Sequence, residues 1–360
     1  MKGKMKAQIY YKEGDIRLEE RDIPQIGEDE VLVRVKACGI CGSDIAYYFG
    51  RSPLETASGK GPLVLGHEFS GEVAALGAKS EKAGILKLGD RVLGNPVQQC
   101  NACAQCAKGN VNLCVNKDTS GVSVDGAFAQ YIVMRHTHLF KIPEGLSYEA
   151  ASLCEPLACA CYGIKKLDVQ LGDFVVIFGP GPIGLMQAQM IRALGAGKIV
   201  MVGVLDFGLE KALKMGADYV INTQDSKSPY YCADLKAKIA QLSGGLMADR
   251  VIVPTSAKPA LRGALEVAGC KAVIVYFGLP SDTEMLEVPL LDLMVNDKSL
   301  LVSWQAPYTW DIAIKAIENG KIELEELITH KFPLENLEDG LKLMDDDSIS
   351  DKIKTVITID

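Results

Sequence analysis

An α/β protein with a doubly wound parallel sheet, preceded by a mainly β segment, is the fold that this sequence predicts. Three observations carry that expectation. From Leu157 onward, six short apolar runs alternate with stretches of helical periodicity. The first run is followed at once by Gly179-Pro180-Gly181-Pro182-Ile183-Gly184. The residues before Leu157 are instead rich in β-branched side chains and glycine turns, as in Val31-Leu32-Val33-Arg34-Val35 and Gly71-Glu72-Val73, with the alternation of half-buried strands.

In chain order, residues 1–155 form the mainly β domain. Within it lies a lobe at 96–115 that has too few large apolar residues to fold around a core of its own. Residues 156–302 form the second domain. Its buried strands are expected at Phe174 to Phe178, Lys198 to Val202, Tyr219 to Ile221, Arg250 to Val253, Ala272 to Phe277 and Ser299 to Val302. Residues 303–360 return to amphipathic helix, as in Trp310 to Glu318, and end on a strand-like Lys354 to Ile359. This tail is assigned back to the first domain.

The 360 residues suffice for two domains, and 48% hydrophobic with 23% charged residues is the balance of an ordinary globular chain. A net charge of −8, with no basic run, would repel a phosphate backbone and excludes nucleic acid as an expected partner. Met1 to Tyr11 lacks the apolar core of a signal peptide. The most apolar stretch, Phe174 to Met186, is broken by prolines and glycines and is shorter than the ~20 residues of a membrane span, so no membrane association is expected. Eleven cysteines in such a chain point to the reducing cytoplasm, where thiolates bind metal or lie buried.

Four of those cysteines, Cys100, Cys103, Cys106 and Cys114, stand in a Cx2Cx2Cx7C array. Four thiolates satisfy Zn2+ completely and leave no open position, so the array reads as a structural zinc site that braces a loop. A reactive metal must then be sought elsewhere, and Cys41, the pair His67-Glu68 and Glu155 offer it. Thiolate, imidazole and carboxylate together suit zinc and leave room for a substrate oxygen. Glu155 stands among apolar residues from Ala151 to Ala160, where a charge needs a partner.

Gly179, Pro180, Gly181, Pro182, Ile183 and Gly184 form GxGxxG between a strand and a helix, the context of a dinucleotide site. The glycines give the tight turn, close approach to a pyrophosphate, and helix–strand packing. An acidic residue is expected about 20 positions on, against the ribose 2′-hydroxyl. Gly203 occupies the strand end there and Asp206 follows three residues later, with no arginine for a 2′-phosphate. NAD is therefore favoured, with NADP not excluded.

Taken together, these motifs resemble the zinc-containing medium-chain dehydrogenase/reductases, above all the polyol (sorbitol or L-iditol) and threonine dehydrogenase branches. The resemblance runs through CGICGSD at 38–44, Gly66 to Val73, Gly89 to Val92, the four-cysteine lobe, Glu155-Pro156, the GPGPIG turn and Ile328 to Leu334. It implies a GroES-like catalytic domain, a Rossmann domain, a cleft between them and a homodimer or homotetramer that continues the sheet near Ser299 to Val302. It implies two zinc ions per chain: one in the lobe, and a catalytic one on Cys41, His67 and either Glu68 or Glu155, with Cys38 a packing thiol. Ser43 would accept the proton of a secondary alcohol as hydride leaves for NAD. The histidine that completes this relay in many relatives is missing, since Ala46 follows Ile45.

The expected substrate is a sugar alcohol or related polyol. The arginine that contacts hydroxyls in polyol dehydrogenases is absent from Ser303-Trp304-Gln305-Ala306-Pro307, while Tyr47, Tyr48, Phe49 and Trp304 could stack on a sugar or pack in the core. A threonine- or butanediol-type enzyme is the nearest alternative. An anionic substrate would need a cationic clamp, for which Arg51 is the one nearby candidate. A dinucleotide-binding protein without catalysis is the alternative of another class.

Overall fold

The structure, a computed structural model, describes residues 2–53 and 61–360. The chain divides into two compact units, Met1–Pro156 with Leu324–Asp360, and Leu157–Glu323.

In the first unit, the strand Glu30–Gly39 buries Val31, Val33 and Val35 and exposes Arg34 between them. It is central to the larger sheet, pairing antiparallel with Glu68–Leu76, Tyr131–Arg135 and the C-terminal strand Lys354–Thr358. Lys354–Thr358 in turn runs parallel to Ile328–Pro333. Phe69, Phe128, Leu65 and Met134 fill the core beneath. The register sets Gly39 opposite Glu68 on one side and opposite Val356 on the other. Segments of three strands far apart in sequence therefore meet at one end of the sheet's central strands.

The second unit is a six-stranded, all-parallel sheet in the order 3-2-1-4-5-6. Its strands are Phe174–Phe178, Lys198–Gly203, Tyr219–Asn222, Ala248–Val253, Ala268–Tyr276 and Ser299–Val302. All six fall on the apolar runs of the sequence, and the first is buried at every position. The order reverses beside Phe174–Phe178, so the glycine-rich turn at its end stands at the topological switch point, where open α/β sheets bind ligands.

Residues 303–323, assigned above to the first domain, group with the second unit. Hydrogen bonds hold them there. Thr309 Oγ1 donates to Ala158 O at 2.7 Å, and Glu323 N donates to Gln189 Oε1 at 2.8 Å. Composition does not reveal this, because an amphipathic helix such as Trp310–Glu318 can bury its apolar stripe against either unit.

Candidate active site and metal centres

The lobe rises on a two-stranded stem, Val97–Gln98 against Asp118–Thr119. Arg135 fastens that stem to the main sheet, its backbone N–H donating to Gln98 Oε1 and its guanidinium to Gln99 O and Asp118. The ring of buried His138 meets Gln99 Oε1 at 2.9 Å, and burial pushes its pKa down to about 4. Above the stem the four cysteine sulfurs lie within 4.8 Å of one another. Cys103 Sγ stands 3.6 Å from Cys106 Sγ and 3.9 Å from Cys114 Sγ. Sulfurs about 2.3 Å from a zinc ion at tetrahedral corners would stand about 3.8 Å apart. Backbone N–H groups of Cys106 and Val115 bring the Cys103 thiol down to about 6, while burial and the neighbouring thiols push Cys106 up to about 12. Four sulfurs this close cannot all ionise without a cation among them, and the donor set fits zinc.

The second cluster forms where those three strand segments meet. Cys41 caps the helix Gly42–Tyr48 directly after the central strand, and the ligand atoms of Cys41, His67 and Glu68 lie within 4.8 Å of one another. Asp44 joins the two turns that carry Cys41 and His67: its Oδ2 accepts from Cys41 N at 2.9 Å and its Oδ1 from Gly66 N at 3.2 Å. Gly66 has φ +89°, and a Cβ there would come 2.9 Å from the Phe128 ring, so only glycine lets the His67 turn sit this deep. Glu68 Oε2 is 2.5 Å from Lys354 Nζ, with the two side chains 1% and 4% exposed, and Lys354 also donates to Ile40 O. A Cβ on Gly39 would stand 2.2 Å from that carboxylate, so the glycine makes room for the pair.

The electrostatics fit a cation. His67 Nδ1 is buried without a hydrogen-bond partner and lies 3.7 Å from Asp44 Oδ1. Burial opposes charge on the imidazole, yet Asp44, Cys41 and Glu155 outweigh it and hold its pKa well above the ordinary value. Burial likewise raises the Asp44 carboxyl. Negative groups thus gather around the His67 ring while Glu68 is paired with Lys354, and the thiol, imidazole and carboxylate that converge here are a donor set that fits zinc. Glu155, in the first turn of the helix Cys154–Leu167, acts on His67 through its charge but is not one of the three converging ligands.

The residues singled out from sequence fare differently. Ser43 is half-buried in the first turn after Cys41. Tyr47 and Tyr48 belong to the core, where Tyr48 donates to Glu338 Oε1, so neither offers a face to a sugar. Arg51 is paired with Asp345 and stacks on Phe49, so it is already committed and does not serve as an anion clamp. Asp44 and Lys354 were missed as contributors. A carboxylate three residues after a helix-capping cysteine was a local signal for Asp44; Lys354 had none.

In the second unit, Gly181 caps the helix Pro182–Ala193, with Pro182 in its first turn. Gly179 has φ +112°, and a Cβ on Gly184 would stand 2.0 Å from Gly179 O. At Gly181 a Cβ would meet nothing within 4 Å, so the backbone faces open space where a pyrophosphate can approach. The turn fits a dinucleotide. Asp206 opens the next helix, Asp206–Lys214, and its Oδ1 accepts from Asn222 Nδ2 at 2.8 Å and Ser228 Oγ at 2.7 Å.

Residues 27–144 match the alcohol dehydrogenase GroES-like domain and residues 182–319 match the zinc-binding dehydrogenase domain. A sorbitol dehydrogenase of Bacillus subtilis (strain 168) is 34% identical over 345 residues, which is 94% of this chain and 93% of the relative. The chain belongs to the zinc-binding alcohol dehydrogenases. It is an oxidoreductase of the alcohol and polyol dehydrogenase class, with a GroES-like first unit and a Rossmann second unit. Among solved structures, a zinc-binding dehydrogenase from Sinorhizobium meliloti 1021 bound to NADP is similar with a TM-score of 0.90 and 28% identity, covering 99% of both chains. An alcohol dehydrogenase from Escherichia coli CFT073 complexed with NADH is similar with a TM-score of 0.87 and 31% identity, also covering 99% of both. No helix among the described residues of this dehydrogenase is long and apolar enough to cross a membrane.

Proposed function

We propose that this dehydrogenase interconverts a secondary hydroxyl of a sugar alcohol or related polyol and the corresponding ketone, passing hydride to or from a nicotinamide dinucleotide. The observation that carries the reading is the convergence of Cys41, His67 and Glu68 on one point. These residues, with Glu155 as the alternative carboxylate, would hold a catalytic zinc, and Cys100, Cys103, Cys106 and Cys114 a structural one. Zinc, when bound, supplies the Lewis acidity that lowers the pKa of an alcohol. Asp44 keeps the cysteine and histidine turns in register, Lys354 restrains Glu68, and Ser43 accepts the hydroxyl proton. The turn from Gly179 to Gly184 holds the coenzyme pyrophosphate.

Similarity to a sorbitol dehydrogenase supports the substrate class, and the commitment of Arg51 to Asp345 argues against an anionic amino acid. A homodimer or homotetramer is supported by the open edge strand Ser299–Val302 and by exposed Leu290, Leu291, Met294 and Val295 beside it. Eleven cysteines suit the cytoplasm, where thiols stay reduced. The test is Cys41→Ala. Turnover of polyols should be abolished, metal analysis should fall from two zinc ions per chain to one, and coenzyme affinity should stay near wild type. Activity in the variant comparable to wild type would refute the assignment, and a single zinc in the wild-type protein would favour a binding protein without catalysis.

A further inference from the structure

A carboxylate that reads the coenzyme's 2′-hydroxyl stands at the carboxyl end of the second Rossmann strand, where it binds the ribose of NAD and repels the 2′-phosphate of NADP. Here that strand, Lys198–Gly203, ends on glycine. The glycine is enforced from outside the strand. A Cβ on Gly203 would lie 2.7 Å from Cδ and 2.8 Å from Cγ of Pro180, the second residue of the phosphate turn. The same ring bears on Gly208, where a Cβ would come 2.9 Å from Pro180 O and 3.0 Å from its Cβ. A proline ring has no rotamer by which to withdraw. Pro180 thus takes the room of a strand-end side chain, and two glycines flank it.

The next carboxylate along the chain, Asp206, has work of its own. Both of its hydrogen bonds, from Asn222 Nδ2 and Ser228 Oγ, reach one oxygen. They tie the start of the helix Asp206–Lys214 to the segment after the third strand, where Asn222 Oδ1 accepts from the backbone of Gln224 and Asp225. This network forms through one carboxylate oxygen without a ligand.

We infer that the Pro180–Gly203 contact has removed the ribose-reading carboxylate, that Asp206 is a structural residue, and that the protein takes NAD and NADP with similar affinity. The inference rests on the dinucleotide reading above and deepens it. Isothermal titration of the zinc-loaded protein with NAD and with NADP tests it by binding alone. The two dissociation constants should lie within tenfold of each other. Asp206→Asn retains an oxygen for both hydrogen bonds and removes only the charge, so it should leave the ratio of the two constants unchanged within about threefold. Pro180→Ala combined with Gly203→Asp clears the ring and restores a carboxylate, and should shift the ratio toward NAD by tenfold or more. A wild-type preference above tenfold for either coenzyme overturns the inference, as does a tenfold shift toward NADP in Asp206→Asn or an unshifted ratio in the double variant. Binding of neither coenzyme to the wild-type protein is a separate outcome: it defeats the dinucleotide reading itself, and this inference with it.

Discussion

Replacing Lys354 by Met tests the buried pair beside Cys41 and His67. The side chains of Lys354 and Glu68 are 4% and 1% exposed and 2.5 Å apart, so water solvates neither. Burial works against the ammonium, but Glu68 and Cys41 keep its pKa above the ordinary lysine value, so the charge is present at neutral pH. In protein stripped of zinc, Lys354→Met keeps much of the stem volume and strands the Glu68 carboxylate. Breaking one side of a buried pair costs about 3–5 kcal/mol. For a unit of this size that lowers the melting temperature by about 6–20 °C, at about 2–4 °C per kcal/mol. Combining it with Glu68→Gln removes both charges and should recover at least half of the loss, because an uncharged replacement of a buried pair is close to neutral. Thermal unfolding followed by circular dichroism, with urea titration for the free energies, reads both variants. The reasoning fails if Lys354→Met melts within 2 °C of wild type, or if the double variant is no more stable than the single one.

Three further outcomes follow from the geometry. His138 has a folded-state pKa near 4, below its ordinary 6.5, so the folded protein binds fewer protons; its contribution of roughly 3 kcal/mol is whole above pH 6.5 and is lost as the pH falls toward 4. Urea midpoints measured across that window should decline, and His138→Gln should flatten the decline. Cys103→Ala should release one zinc per chain and expose the lobe to proteases, with the other zinc retained by the cluster at Cys41, as metal analysis and limited proteolysis would read. Gly184→Ala, whose Cβ would press on Gly179 O at 2.0 Å, should destabilise the second unit and weaken coenzyme binding by at least about tenfold, whereas Gly181→Ala, with open space before it, should weaken binding without lowering the melting temperature. NADH fluorescence titration beside a melting curve separates the two.

Features whose physics is local were legible from the chain alone. Cysteines at fixed short spacings can converge whatever surrounds them, and the sulfurs of Cys100, Cys103, Cys106 and Cys114 lie within 4.8 Å of one another. A glycine turn between an apolar run and a helical stretch can fold in only a few ways, and the strands of the second unit lie on the apolar runs because inner strands covered on both faces must be apolar throughout, although the edge strand Ser299–Val302, expected to be buried, is mostly exposed. His67 and Glu68 stood out as a rare pair in a β segment.

Features that depend on distant segments meeting were decided by tertiary packing. Lys354 reads as one more charged residue at the start of a C-terminal strand, and it becomes the partner of Glu68 only because that strand inserts beside Glu30–Gly39. Tyr47 and Tyr48 could have lined a pocket or filled a core, and the helix packed over them settled it in favour of the core. Asp206 had the right type and nearly the right position for ribose, yet Asn222 and Ser228 reach it through the fold, and Pro180 holds the neighbouring strand end to glycine. Spacing and periodicity describe what a segment can do with its own neighbours; which charge a buried group finds, and which space a ring already fills, depend on the three-dimensional register of strands, and no stretch of sequence contains it.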